Sequence, residues 1–183
     1  MTALGRFRSL SMFLAHGRFR SIIAPKMSQL PSTRLSRIVS ASIETIYAAL
    51  MDPASLLVWL PPAPMTGKIH AFDAQVGGGC EMSLFYPPGE RAFPGKTSDR
   101  LDRVTVRFLE LMPPRRIVEA VKFHSDDPAF GGEMRITWTF DEAPGGTQLT
   151  VLCENLPPGL RAEDNETGSR ISLEQLARWV EQM

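Results

Sequence analysis

The sequence predicts an α+β domain in which a curved antiparallel sheet of about six to seven strands wraps a long C-terminal helix. Two short helices follow the first strand. Three observations predict it. Short strand-like segments separated by Gly and Pro clusters fill the chain from Lys68 to Cys153. No helical periodicity interrupts them. Only beyond Pro157-Pro158-Gly159 does the period turn helical, with Leu173, Leu176, Ala177 and Val180 on one stripe. That stripe must be buried, and the sheet's apolar face is the surface available to it.

The elements follow in order. Arg34 to Ser40 is short and β-compatible, with Leu35, Arg37 and Val39 set against Ser36, Ile38 and Ser40. Ser42 reads as a helix N-cap, because Ile43, Ile46, Tyr47 and Leu50 recur at the spacing of one helical face. Asp52-Pro53 closes that helix and opens another, with Asp as cap and Pro at the first helical position, ending at Trp59-Leu60-Pro61-Pro62. Lys68 to Asp73 is a strand, punctuated by Gly77-Gly78-Gly79. Cys80, Met82, Leu84 and Tyr86 then alternate with polar neighbours and Phe85. Pro87-Pro88-Gly89 and Phe93-Pro94-Gly95 bracket a turn-rich connection. Leu101 to Leu111 and Arg116 to Phe123 pair across Met112-Pro113-Pro114. Met134, Ile136, Trp138 and Phe140 give the clearest alternation, and Gly145-Gly146 makes a hairpin into Leu149, Val151 and Cys153. The last helix opens with Glu163, Asp164 and Glu166, favourably placed at its positive end.

A chain of 183 residues suits one domain, and a hydrophobic fraction of 43% with 22% charge lies outside the disordered range. Net charge is zero but unevenly spread. Seven basic residues and no acid precede Glu44, whereas 13 basic against 20 acidic residues follow, leaving the body at −7. Such a body lacks the electrostatic footprint of a nucleic-acid binder. Cys80 and Cys153 sit in strand-like stretches and read as buried free thiols rather than a disulfide framework. Three scattered histidines without CxxC or HxxxH spacing give no metal-ligand set, so neither metal nor cofactor is expected.

Residues 1–32 read as an extension outside the domain of residues 33–183. Gly5-Arg6-Phe7-Arg8-Ser9 recurs as Gly17-Arg18-Phe19-Arg20-Ser21 in an acid-free segment with the composition of an organellar transit peptide. That composition is a weak signal. A disordered extension, or a start at Met27, is favoured over targeting, and a cytoplasmic location follows. Nowhere is there the run of roughly 18 apolar residues of a membrane span.

Element order and particular residues together resemble the START-like SRPBCC superfamily, and within it the family named for the activator of heat-shock protein 90 ATPase, C-terminal domain. The matching features are Ile38-Val39-Ser40-Ala41-Ser42 through Met51-Asp52-Pro53, Trp59-Leu60-Pro61, and Phe72-Asp73 before Val76-Gly77-Gly78. Further on come Phe108-Leu109-Glu110-Leu111-Met112-Pro113 and Thr137-Trp138-Thr139-Phe140 leading to Gly145-Gly146-Thr147. The resemblance spans Arg34 to the C-terminus and implies a helix-grip (START/Bet v 1-like) fold with an apolar cavity between sheet and last helix. Many members carry Gly-Trp near the start of that helix. Here Gly168 is followed by Ser169, and the late tryptophan is Trp179. The family implies the fold more firmly than a chemistry, because one cavity serves binding proteins, cyclases, hydratases and chaperone regulators.

The candidate residues follow from this frame. Gly77-Gly78-Gly79 leads into a strand rather than a helix N-terminus, so it reads as a bend or bulge and not a phosphate cradle. Glu119, among Ile117, Val118, Ala120 and Val121, is a candidate general base if it projects inward with a raised pKa. Charged residues are seldom buried without a partner, which favours a water-facing Glu119. His124 with Asp126 and Asp127 reads as a solvated turn beside Pro128. Trp59, Met82, Leu84, Tyr86, Phe108, Phe123, Trp138 and Leu176 are expected to line the cavity, with more than half serving simply as core. Tyr86, whose hydroxyl needs a partner if enclosed, is a second weak catalytic candidate.

The leading expectation is a protein that binds a hydrophobic small molecule without intrinsic catalysis. One alternative is a polyketide cyclase-like enzyme or lyase using Glu119 or Tyr86. Another is an interaction module resembling a chaperone-ATPase regulator. A homodimer is compatible with each.

Overall fold

The computed structural model of the chain describes residues 30–89, 95–98 and 100–183. The extension expected over residues 1–32 lies, up to residue 29, outside the described residues.

Seven antiparallel strands form one sheet in the order β1-β7-β6-β5-β4-β3-β2. They are β1 (Thr33–Val39), β2 (Thr66–Asp73), β3 (Gly79–Phe85), β4 (Leu101–Met112), β5 (Arg116–Phe123), β6 (Met134–Ala143) and β7 (Gly146–Glu154). Helices α1 (Ile43–Met51) and α2 (Pro53–Trp59) follow β1, and α3 (Ala162–Val180) ends the fold. A short 3-10 turn, Pro128–Phe130, precedes β6. The helix-grip architecture read from the sequence is the observed one.

Local chemistry starts and stops these elements as their residue types dictate. The Ser42 hydroxyl accepts from Thr45 N at 3.1 Å and caps α1. The Asp52 carboxylate accepts from Ser55 N at 2.8 Å and caps α2, whose first residue is Pro53. Gly146, at φ 144°, lets the β6–β7 hairpin lie against the Val39 carbonyl, where any Cβ would collide. Gly79 serves the same purpose against Val106 where β3 begins, so the glycine run is a strand connection and not a cradle.

Register sets out the concave face in rows. One row reads Leu35, Val151, Trp138 and Ile117 from β1 through β5. The next reads Thr33, Cys153, Ile136, Glu119 and Phe108. A third reads Met134, Val121, Val106, Cys80 and Phe72. The sheet bends at two register shifts, between Ile69 and Ala71 in β2 and between Phe108 and Glu110 in β4.

The helices close over this face. Leu173, Leu176, Ala177 and Val180 of α3 are all buried, in one cluster with Val39, Ile46, Phe140 and Leu149. Polar contacts fix the helix to α2 and the turn beyond it. Ser172 Oγ donates to Leu60 O at 2.7 Å, and Gln175 Nε2 donates to Trp59 O and Pro61 O, both at 2.8 Å. Trp179 Nε1 donates to Ser55 Oγ at 3.0 Å. Toward the sheet's first edge, Thr33 Oγ1 donates to Asn165 Oδ1 at 2.5 Å. No described helix is long and apolar enough to cross a membrane.

Candidate ligand site

The concave face is unevenly filled. Beneath the last turns of α3 the side chains are fully enclosed, with Phe140, Leu149, Ile117 and Leu176 each 0% exposed. On its first turns the helix brings Asn165 and Ser169 to Cys153 of the sheet, and on the concave face Ile136, Val106, Leu84 and Phe123 are only half-buried. The apolar stripe of α3 thus begins at Leu173, and the turns before it carry small polar residues on the side toward Cys153.

Glu119 lies on the concave face between Ile136 and Phe108, its partners in the neighbouring strands. Alternation along β5 puts Ile117, Glu119, Val121 and Phe123 on the concave face, so the expectation that Glu119 faces water is corrected. The partner that a buried carboxylate requires is the indole of Trp138, whose Nε1 donates to Glu119 Oε2 at 3.0 Å. The Trp138 ring packs edge-on against Trp59, with centroids 6.0 Å apart, and Trp59 is tied down by its own Nε1 bond to Ala49 O. Protein surrounds the carboxyl, and desolvation pushes its pKa up to about 7 although the indole hydrogen bond pulls the other way. Even so the residue is half-buried rather than buried, so part of its surface stays accessible inside this enclosure. Its other oxygen has no hydrogen-bond partner among the described residues.

Both thiols feel this group. Burial, then the Glu119 charge, pushes Cys80 up to about 11. Burial likewise pushes Cys153 up to about 11, against the polar contacts of Thr33, Ser169 and Asn165. Both cysteines are free and buried, as their strand positions imply, and they stay neutral thiols.

A second polar cluster lies where β3 runs out. Asp102, on the inward face of β4 and 3% exposed, accepts from Tyr86 OH at 3.0 Å and from Lys96 Nζ at 2.6 Å. The backbone N of Lys96 also donates to Asp102. Lys96 lies over the Phe123 ring, 5.5 Å from its centroid. Burial lowers the ammonium's pKa, but Asp102 and Tyr86 more than offset it, so Lys96 stays charged. Burial raises Tyr86, which keeps its proton and uses it on Asp102. This cluster ties the chain after Gly95 across the end of the sheet.

The other expected residues separate into two groups. Trp59, Met82, Phe108, Trp138 and Leu176 are buried in the core cluster, whereas Leu84, Tyr86 and Phe123 are half-buried toward the open half. His124, Asp126 and Asp127 are exposed, as a solvated turn should be. His124 Nε2 contacts Thr105 Oγ1 at 2.6 Å, and Asp127 caps the 3-10 turn through Ala129 N. His124 and Asp126 border an open groove of about 560 Å³ on the sheet's outer face, together with Arg107, Lys122 and Glu133, away from Glu119. Among the described residues no cluster of His, Cys, Asp and Glu is arranged to hold a metal ion.

Sequence reasoning missed Asn165, Ser169, Lys96 and Asp102. The signal for the first two was the break in the α3 stripe before Ser172. For Asp102 it was alternation with Val104 and Val106. Lys96 comes from a turn whose return onto β4 no local pattern foretells.

Fold and interior together define a helix-grip domain, a curved antiparallel sheet closed by one long C-terminal helix, with a carboxylate on its concave face. The chain belongs to the Activator of Hsp90 ATPase homolog 1-like protein family, whose model matches residues 40–181. Among solved structures it is similar to a protein from Chromobacterium violaceum at 35% identity and TM-score 0.71, covering 82% of this chain and 96% of that one. A Rhodobacter sphaeroides protein shares the fold at 21% identity and TM-score 0.66, over 83% of this chain and 93% of that one. So does an AHSA1-like protein from Aeromonas hydrophila, at 18% identity and TM-score 0.62, over 83% and 93%. No curated protein matches the chain.

Proposed function

We propose that this protein binds a small, largely apolar molecule between the concave sheet face and the first turns of α3. One observation carries the reading. The first turns of α3 bring small polar side chains, Asn165 and Ser169, to the sheet at Cys153, while Ile136, Val106, Leu84 and Phe123 on the concave face stay half-buried. Large apolar side chains left partly uncovered inside a fold gain about 25 cal/mol per Å² when a ligand covers them. The inward carboxylate then acts as the orienting polar group usual in such sites.

Trp138 and Trp59 report on this space directly. Titration of the folded protein with a panel of hydrophobic ligands should change tryptophan fluorescence and raise the melting temperature. A folded protein that responds to none of them would overturn the reading. Native mass spectrometry of freshly purified protein gives a second measurement, since a retained small molecule would establish the chemical class.

A second reading is favoured by a separate observation, the inward Glu119 beside the Trp138 donor. A carboxyl with pKa about 7 carries the proton half the time at neutral pH and can pass it either way. This supports a cyclase or lyase acting on a polyketide-like or aromatic substrate. Turnover of such a substrate that is lost in Glu119→Gln while binding persists would support the enzyme. Equal turnover in both proteins would dismiss Glu119 as its acid or base.

A further inference from the structure

Resting on the ligand-binding reading, we propose that Glu119 sets the specificity of the interior site by pairing with a protonated amine on an aromatic or alkyl body. The surroundings of the carboxylate argue for a cation. Among the described residues no Lys, Arg or His pairs with Glu119, and its one hydrogen bond, from Trp138 Nε1, is made to a single oxygen. The second oxygen is left for a ligand. Around it stand aromatic groups, with Trp138 as donor neighbour and Phe108 directly opposite in the register. Trp59 meets Trp138 edge-on at 6.0 Å, and Phe72 meets Phe108 edge-on at 6.1 Å. A carboxylate set among aromatic rings in a poorly solvated space is the chemistry that recognises organic ammonium groups.

Charge sorts the alternatives. A carboxylate ligand would place two like charges together in a poorly solvated space, so fatty and aryl acids are disfavoured. A neutral ligand gives Glu119 no charged partner beyond the Trp138 hydrogen bond and so does not favour its ionised form. An ammonium repays the ionisation of Glu119 by direct pairing and draws its titration downward. The groups facing Glu119 from the elements packed on it do not compete. Cys80 on β3 and Cys153 on β7 remain neutral, and α3 contributes the uncharged Asn165 and Ser169 beside Cys153.

The test is calorimetric titration of the full chain with three probes sharing one body: 2-(2-naphthyl)ethylamine, 2-naphthaleneethanol and 3-(2-naphthyl)propionate. The amine should bind about tenfold more tightly than the alcohol, and the acid most weakly. Glu119→Gln should remove the amine's advantage and leave alcohol binding in place. A second measurement uses the wild-type protein alone. Near pH 6, titration in buffers of different ionisation enthalpy should show amine binding release a proton from Glu119, and alcohol binding release none. Equal affinities for amine and alcohol, an acid that binds best, or an amine advantage that persists in Glu119→Gln would overturn the amine assignment while leaving an apolar-ligand site intact. Failure of all three probes would overturn both.

Discussion

Under its last two turns α3 presses Leu173, Leu176, Ala177 and Val180 onto Phe140, Leu149 and Ile117, and nothing there is accessible. Under its first two turns the same helix sets Asn165 and Ser169 beside Cys153, in the row that continues to half-buried Ile136 and Glu119. One helix on one sheet thus builds a core at one end and, on the proposed reading, a recognition surface at the other. The division explains how a domain of this size accommodates a charged interior group. Close packing in one half supplies stability, and the other half is left free for side chains that folding alone would not select. The clamps from Ser172, Gln175 and Trp179 to α2 and the turn beyond it add polar anchors to the packed end of the helix.

The sharpest way to break this contrast is truncation in each half. Leu176→Ala should cost about 2–5 kcal/mol, because its side chain is 0% exposed and its neighbours are locked in a dense cluster. Ile136→Ala in the open half should cost only about 1 kcal/mol, since the residue already keeps part of its surface. Urea unfolding measures both. Equal losses would mean that the halves are packed alike and that no recognition surface exists.

Glu119→Gln should produce the next largest effect, and its sign depends on pH. The folded pKa of about 7 lies above the ordinary 4.5, so between those values the folded protein holds a proton that the unfolded chain has lost. Stability therefore falls as pH rises through this window and is flat above it. The ionised group costs on the order of 3 kcal/mol at about pH 8. Gln keeps an acceptor for Trp138 Nε1 and carries no charge. The variant should be more stable than wild type by about that amount at about pH 8, and by a few tenths of a kcal/mol near pH 4.5. Chemical denaturation at the two pH values checks it. A pH-independent difference would show that Glu119 ionises freely and is not enclosed.

Much of the packed half was legible in the sequence, and the open half much less so. Alternation of Met134, Ile136, Trp138 and Phe140, and the stripe ending at Val180, follow from periodicity because burial there depends on residue type alone. Glu119 breaks that rule. A carboxylate in an apolar strand is assigned to water unless a partner is known, and the partner lies 19 residues away in the next strand. The alternation of Ile117, Val121 and Phe123 was the available cue and pointed inward. Asn165 and Ser169 were obscure for the converse reason. Small polar residues on a helix read as its outer face, and only the tertiary position of α3 shows them facing the sheet. Sites built from residues that oppose the binary pattern stay hidden from the pattern.

Smaller effects sharpen the comparison by adding atoms to the open half. Gly168 lies within α3, and a Cβ there would meet only Pro62 Cγ, at the ordinary contact distance of 3.8 Å. Gly168→Ala should stabilise by about 1 kcal/mol through helix propensity alone, read as a higher melting temperature. A loss instead would place unseen crowding at the start of α3.

Ser169→Leu is the most discriminating change although its effect on stability is the least. Ser169 faces Cys153 and the row containing Ile136 and Glu119, the direction in which the helix stripe is missing. In a filled interior, extra methylenes force neighbouring side chains off their rotamers at a cost of about 1–3 kcal/mol. In an open one they cover apolar floor and the two contributions nearly cancel, so a change within about 0.5 kcal/mol is expected. The same leucine would occupy the space assigned to the ligand. Wild-type stability together with loss of tryptophan-reported binding is therefore the joint outcome expected. Destabilisation by overpacking would mean that α3 already rests on a solid floor, and a stable variant that still binds would put the ligand somewhere other than beneath Ser169.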